Sequence, residues 1–394
     1  MKLRNLMYAT MIACAFASCS KDDVIEGGQE PTAKGDASLT IGVSALKSTK
    51  ALIADGETIG EGIESEDNIK SLTLVVFNSN GAYLASASSA NSSTVTVSGL
   101  NPQTIKFMVL ANMDIATTTL QGLTSTTIMN QAVVLPATGF TKDSEQGLPM
   151  SSALVEKDGQ NDIVLVSGNN YYGYAAGQAN AAKEMSTGNA LDLVRNVSRV
   201  DLMGVNLHMK MSDYSSGKAS FKFTDVKIKN AAKNAIIGGA SSANTEFLTG
   251  GADATYYIQS DATLAAKEQT DFTSGAVPVD APKAYFYVLA NGQKTPTQLV
   301  VGGNFTLTDG INTLTGATES FSGAGLYPIT VGITNTGADG TASALTDGLV
   351  NNKIYRITLY VAGPGESGDG PKAKFFVNTE VKEWDTVDQG AIIK

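Results

Sequence analysis

The sequence predicts an all-β fold: two tandem β-sandwich domains joined by long loops. Three observations lead there. Apolar and polar residues alternate with period two along many short segments, as half-buried strands require. Turns rich in Asn and Gly separate those segments. A helical period is weak throughout, and Gly188 to Val197 is the best short helical or mixed candidate. Many short strands with turns of this kind point to sandwiches.

The strands follow in order. Leu39, Ile41, Val43 and Ala45 alternate with Thr40, Gly42 and Ser44, giving a first strand over 38–46. Ser71 to Phe77 is a dense apolar run, followed by Asn78-Ser79-Asn80-Gly81 and then Tyr83-Leu84. That is a hairpin, because Asn-Gly supplies the positive φ angles of a tight turn. Thr94 to Val97 is a short strand stopped by Gly99 and Pro102, and Lys106 to Leu110 and Asp162 to Val166 come next. Val200 to Met211 alternates over a long stretch. Phe221, Phe223, Val226 and Ile228 keep one face only if a bulge inserts one residue between Phe223 and Val226. Tyr285 to Ala290, Gln298 to Val301, Ile354 to Val361 and Lys374 to Trp384 complete the set. Two strands, Lys106 to Asn112 and Tyr285 to Asn291, end in the same Leu-Ala-Asn. The domain boundary is placed near residue 190, giving domains over 51–190 and 191–394.

The N-terminus carries an address. Lys2 and Arg4 precede an apolar stretch, Leu6 to Ala17, and small residues precede Cys19. This is a secretory signal over residues 1–18, too short for the roughly 20 residues that span a bilayer. A cysteine directly after the cut resembles a bacterial lipoprotein signal, with Cys19 as the lipidated first residue. Ser20, Lys21, Asp22 and Asp23 follow it, and Lys-Asp-Asp resembles the surface-export tag of Bacteroidetes lipoproteins. The only other cysteine is Cys14, inside the signal, so the mature chain forms no internal disulfide and its stability rests on burial. A formal net charge of −10 with 17% charged residues argues against nucleic acid or an anionic membrane surface as a partner.

Four features invite a chemical reading, and each has a simpler one. His208 is the single histidine; in an alternating strand it would face outward with Asn206 and Lys210, and no nucleophile elbow accompanies it. One histidine and no cysteine beyond Cys19 leave zinc without ligands. Gly363 to Gly368 spells Gly-x-Gly-x-x-Gly, but Asp369, Gly370 and Pro371 follow where a phosphate-binding helix is required, so it reads as a hairpin loop. Glu57, Glu61, Glu64, Glu66 and Asp67 match no calcium loop and read as a solvated linker. Tyr171, Tyr172 and Tyr174 suggest either packing or an exposed aromatic platform for glycan contact. No cofactor, metal or catalytic residue is expected.

The order of several pieces resembles the fimbrillins, the type V pilins of Bacteroidetes (the FimA/Mfa-like major fimbrial subunit family). They are the lipoprotein start, the strand of Leu39, Ile41, Val43 and Ala45, and the basic break Lys47-Ser48-Thr49-Lys50-Ala51. Glu66 to Leu72, Leu110-Ala111-Asn112, Leu148 to Ser151, Arg195 to Leu202, Thr295 to Val301, Asn352 to Ile357 and the end segment from Val377 follow. The resemblance implies two transthyretin-like, Greek-key sandwiches and assembly by strand exchange. A propeptide over 19–50 would be cut after Lys50, before Ala51 (alternatively after Lys47, before Ser48), removing the first strand. The matched family site is Arg, so a Lys-specific or broad protease is implied; an uncut chain would act as an anchor. The end segment, about 372–394, would then donate Phe375, Val377, Thr379, Val381, Trp384, Val387, Ile392 and Ile393 to the vacated groove of the next copy. Implied partners are other copies of the chain, other fimbrial subunits, the outer-membrane lipoprotein export machinery, a surface protease and host or bacterial surface receptors. The implied location is an outer-membrane lipoprotein precursor matured into an extracellular fimbria. The reading from a different class is a monomeric glycan-binding surface lipoprotein.

Overall fold

The structure is a computed structural model, described here for residues 35–45, 66, 68–134, 147–239, 247, 256–259, 264–292, 295–332, 334–336, 342–344, 348–367 and 374–383. The described residues form an all-β body. In the first half run β1 (Ala37–Ala45), β2 (Ser71–Asn78), β3 (Tyr83–Ala90), β4 (Thr94–Leu100), β5 (Thr104–Ala111) and β6 (Ala132–Val134). They are followed by β7 (Met150–Ser151), β8 (Lys157–Asp158), β9 (Asn161–Val164), β10 (Gly168–Tyr172), β11 (Ala181–Met185) and β12 (Leu191–Arg195). The second half holds β13 (Ser198–Leu207), β14 (Lys218–Lys229), β15 (Asn234–Ile236), β16 (Tyr256–Gln259), β17 (Lys267–Gln269), β18 (Val277–Val279) and β19 (Ala284–Val288). It ends with β20 (Gln298–Ile311), β21 (Thr318–Thr330), β22 (Thr334–Thr336), β23 (Ala342–Ala344), β24 (Lys353–Val361) and β25 (Phe375–Glu383).

The first half pairs in the order β11-β10-β1-β12-β7-β5-β2-β3, with β4 also on β1 and β9 also on β5. The second half makes two sheets, β18-β13-β24-β25 with β19 on β13, and β16-β14-β20-β21 with β17 on β14. Two apolar cores result. One is built wholly from residues between Ala37 and Leu193. The other fills the second half and reaches back to Val75, Phe77, Met108 and Leu110. The dense runs of β2 and β5 are thereby explained, since Leu74 and Val75 face different cores and both are buried.

Local chemistry accounts for several turns. Gly81 sits at φ 86° in the β2–β3 turn, where Asn78 Oδ1 accepts from the Ala82 amide at 2.9 Å. The slip between Phe223 and Asp225 is the expected bulge, and it falls opposite Gly302 and Gly303 of β20. A side chain at Gly303 would lie 2.0 Å from the Phe221 ring, so the glycine gives that ring its place. The shared Leu-Ala-Asn ends are built alike in function. The Asn112 side chain accepts from the Lys70 amide and donates to the Asn68 and Leu148 carbonyls. The Asn291 side chain donates to the Thr295 carbonyl and the Thr297 hydroxyl. Each asparagine ties the end of its strand to neighbouring loops.

Three expectations are corrected in these strands. Gly188 to Val197 contains strand β12, held by β1 and β7, because tertiary pairing overrides a weak local period. The alternation from Val200 ends at Leu207, and Met209–Met211 is a short 3-10 turn. His208 therefore turns inward and is buried, its ring centroid 5.9 Å from that of Tyr360. For the tyrosines the structure agrees with the packing reading: Tyr172 and Tyr174 are buried, with Tyr172 edge-on to Phe107 at 5.0 Å.

Candidate functional site: the seat of strand β1 and its polar anchor

β1 fills a slot between two other strands. Over Ala37–Ile41 it runs parallel to β10, and over Ala37–Gly42 it runs antiparallel to β4. From Val43 to Ala45 it pairs parallel with β12. Both edges of the strand are thus occupied, and its absence would expose two rows of backbone donors and acceptors. Ala37, Leu39, Ile41 and Val43 are at most 2% exposed and pack with Val95, Val97, Leu100, Phe107 and Tyr172. Burying Leu39, Ile41 and Val43 contributes about 5–9 kcal/mol at about 1.5–3 kcal/mol each. That equals much of the roughly 5–15 kcal/mol that holds a whole domain folded.

The slot also has a polar side. Ser38 Oγ donates to Asn169 Oδ1 at 3.0 Å, and the hydroxyls of Thr40 and Thr96 lie 2.9 Å apart. Asn170 is fully buried. Its Nδ2 donates to the Ser38 carbonyl at 3.0 Å, to Val166 at 2.8 Å and to Gly168 at 3.1 Å. Its Oδ1 accepts from the Val166 amide at 3.0 Å. At Gly173 (φ 79°) a side chain would meet the Gly42 carbonyl at 2.9 Å, so the close approach of the backbones there requires glycine.

A second polar assembly anchors the chain just before β2. Glu66 was expected in a solvated linker, yet it is 1% exposed. Its Oε1 accepts from Arg199 Nη1 at 2.8 Å and from the Tyr287 hydroxyl at 2.5 Å. Arg199 in turn grips Asp201 through Nε at 2.8 Å and Nη2 at 3.0 Å. Arg356 Nε stands 3.8 Å from Asp201, and Arg195 Nε donates to the Glu66 carbonyl at 3.4 Å. Register explains the cluster: Arg199 lies opposite Tyr287 on β19, and Asp201 lies opposite Arg356 on β24. Burial alone would depress the Arg199 guanidinium, but Asp201 and Glu66 outweigh it and push its pKa up. Burial and then Glu66 push the Tyr287 phenol up. Burial also pushes the Asp201 carboxyl up against the pull of Arg199; the two-pronged contact with Arg199 fits the ionised form.

The sequence-predicted residues are distributed as follows. Leu39, Ile41 and Val43 share the buried face of β1. Cys19 to Asp23 and the break Lys47 to Ala51 lie outside the described residues, as do Glu57, Glu61, Glu64 and Asp67. Phe375, Val377, Thr379 and Val381 lie on β25, antiparallel to β24 of the same chain. Val377 and Thr379 are buried there while Asn378 and Glu380 are exposed. Among the described residues β24 is the only ladder partner of β25. Trp384, Val387, Ile392 and Ile393 lie outside the described residues. Sequence reasoning missed Asn170 and the burial of Glu66, whose partners come from distant parts of the chain. The loop after β24 is described from Gly363 to Ser367, where Glu366 bridges to Leu326.

These features define a class: all-β proteins in which a strand near the N-terminus, here β1, completes the core of the N-terminal half. The profile of the family Major fimbrial subunit protein (FimA) matches residues 37–195, which is the stretch from the start of β1 to the end of β12. The chain is 26% identical to the major fimbrium subunit FimA type-3 of Porphyromonas gingivalis, covering 100% of both chains. It is 25% identical to the FimA type-2 subunit of the same organism, again covering 100% of each. A solved candidate cell adhesion protein of Parabacteroides distasonis shares the fold, with a TM-score of 0.57 at 20% identity, over 89% of this chain and 99% of that one. A fimbrilin (FimA) from Porphyromonas gingivalis gives 0.50 at 18%, over 91% and 100%. The likeness to fimbrillins read in the sequence therefore holds: this chain is similar, over its full length, to the major subunits of fimbriae.

Proposed function

We propose that the chain is the stalk subunit of a cell-surface fimbria that supports adhesion, assembled head to tail from two sandwich domains by strand exchange. It is exported as a lipoprotein on Cys19 and cut by a surface protease after Lys50 (or Lys47). β1 then leaves with the propeptide. The end segment of another copy, about 372–394, enters the slot, its main chain supplying the ladder and alternate side chains filling the pockets. Such a contact does not close on itself and yields an open filament.

The observation that carries this reading is the seat of β1. Nine residues near the N-terminus complete the core of the first half between two other strands, so removing them creates a shaped, apolar vacancy. β25 supports the donor role, since it alternates buried and exposed residues at the edge of its own sheet and leaves by giving up one ladder. The glycan-binding reading loses Tyr172 and Tyr174 to the interior.

The test is the N-terminal residue and intact mass of protein sheared from cells. A start at Ala51 (or Ser48) without lipid mass is the expected result. Lipidated Cys19 in all of the material would overturn the stalk assignment and leave an anchor subunit or a monomeric lipoprotein.

A further inference from the structure

We infer that the loop after β24 is clasped to β21 and forms the fixed root of β25, so that β25 leaves its sheet while the loop up to Glu366 stays in place; the use of this device rests on the strand-exchange reading above. The contacts around the loop fall into two sets. The first ties the loop to β21. The Leu326 amide donates to the Glu366 carbonyl at 2.9 Å, and the Glu366 amide donates to the Leu326 carbonyl at 2.8 Å. The buried Tyr327 hydroxyl donates to the Gly363 carbonyl at 2.8 Å. Gly325 and Gly365 meet with no side chain between them. A Cβ on Gly325 would lie 2.6 Å from the Gly365 backbone, and one on Gly365 would lie 2.7 Å from the Gly325 backbone. Glycine at both positions is what lets the two backbones come close enough to bond. None of these contacts uses an atom of β25.

The second set ties down the start of β25. The Lys374 amide donates to the Pro364 carbonyl and the Ala362 amide donates to the Lys374 carbonyl, both at 3.1 Å. Lys374 Nζ lies 3.0 Å from Asp213 Oδ1, and the Phe375 ring stands edge-on to Tyr327 at 5.9 Å. When β25 departs, this second set is lost together with the single ladder to β24. The first set remains, because its partners belong to the loop and to β21. β21 is itself held by β20 along most of its length, so the loop is fastened to a firm strand. An element joined by one ladder opens as its own unit when the contacts at its root do not depend on it.

Two measurements test this. In the first, amide hydrogen exchange compares the full chain with Val377→Ala and with a chain truncated after Gly370. Val377→Ala removes buried apolar surface from β25 and should speed exchange of the β25 amides about tenfold, with the Leu326 and Glu366 amides unchanged. In the truncated chain the Ala362 amide, whose acceptor is gone, should exchange about tenfold faster, again with Leu326 and Glu366 unchanged. Acceleration of Leu326 and Glu366 in step with β25 or with Ala362 overturns the inference. If the truncated chain does not fold, Val377→Ala still decides. In the second, cysteine pairs are oxidised in the full chain before assembly. Opposed residues of an antiparallel pair stand about 4.5–5.5 Å apart, within disulfide reach. Leu326→Cys with Glu366→Cys locks the clasp and should leave the high-molecular-weight ladder on mild SDS gels intact. Thr358→Cys with Asn378→Cys locks β25 to its register partner on β24 and should abolish that ladder. Loss of the ladder with the clasp locked overturns the inference. A ladder that survives with β25 locked to β24 overturns the strand-exchange reading instead, and the exchange rates still judge the clasp.

Discussion

Replacing Glu66 with Ala should destabilise the protein far more than a surface acid-to-Ala change does. Glu66, Arg199 and Asp201 are each at most 2% exposed. Arg199 is shared between Asp201 and Glu66, and Arg356 stands beyond Asp201. Among these four side chains two acids balance two bases. Deleting the Glu66 carboxylate removes one of the two buried acids that face these bases, and it removes the Oε1 acceptor of the Tyr287 hydroxyl. Breaking a buried pair by removing one partner costs about 3–5 kcal/mol. A urea midpoint should fall by about 1–2.5 M for a slope of about 2–3 kcal/mol/M. Glu66→Gln keeps an oxygen for Tyr287 and should fall between Ala and wild type. Tyr287→Phe, which removes only the hydroxyl, should cost about 1.5–3 kcal/mol as a bond to a charged group, and combined with Glu66→Ala it should add less than that. Urea unfolding of the full chain by circular dichroism checks each variant. A loss below about 1 kcal/mol for Glu66→Ala, or a loss that disappears in 1 M salt as a solvent-exposed pair's would, refutes the buried network.

Further outcomes follow from the same structure. Ile41→Ala should lower the stability of the full chain by about 2–5 kcal/mol; under the proposed strand exchange it should leave the SDS resistance of fibres unchanged, whereas Val97→Ala, in the wall, should weaken both. Truncation after Gly370 should abolish the high-molecular-weight ladder on mild SDS gels. The burial of His208 and then the charge of Lys210 hold its pKa below the usual imidazole range. The unfolded chain therefore takes up the proton first as pH falls, so the contribution of His208 is full above the ordinary imidazole pKa and lost as pH falls through the folded value. With one histidine in the chain, a single imidazole resonance by NMR reports that midpoint, and His208→Gln should remove the corresponding slope of stability with pH. Gly303→Ala should cost about 1–3 kcal/mol by overpacking against Phe221, measured by the same unfolding assay.

Much of the strand content was legible, for reasons that particular residues make plain. β1, the β2–β3 hairpin and the Phe223–Asp225 bulge all announce themselves through nearest-neighbour pattern and turn chemistry. β10 and β12 did not. Gly168 to Tyr172 reads Gly-Asn-Asn-Tyr-Tyr, which alternates weakly, and it becomes a strand because β1 and β11 flank it. β21 hides behind serines and glycines for the same reason, being held by β20 along most of its length. Of the site, the apolar face of β1 was visible as alternation, whereas Asn170 looked like any turn asparagine. Glu66 looked like a member of an acidic linker, since its partner Arg199 lies 133 residues away and no local rule links them.

The seat of β1 also constrains when this chain can finish folding. Ser38 and Asn169, bonded in the final structure, stand 131 residues apart, and the pairing with β12 spans a longer separation still. Contacts between such distant residues form slowly, because the entropy of closing the loop is lost before the ladder repays it. A chain emerging amino end first has its first strand long before it has β10 and β12. Until Arg195 has been made, Leu39, Ile41 and Val43 have no complete site to enter. β1 is thus among the last strands of the N-terminal half to be seated, and until then the core of that half stays incomplete.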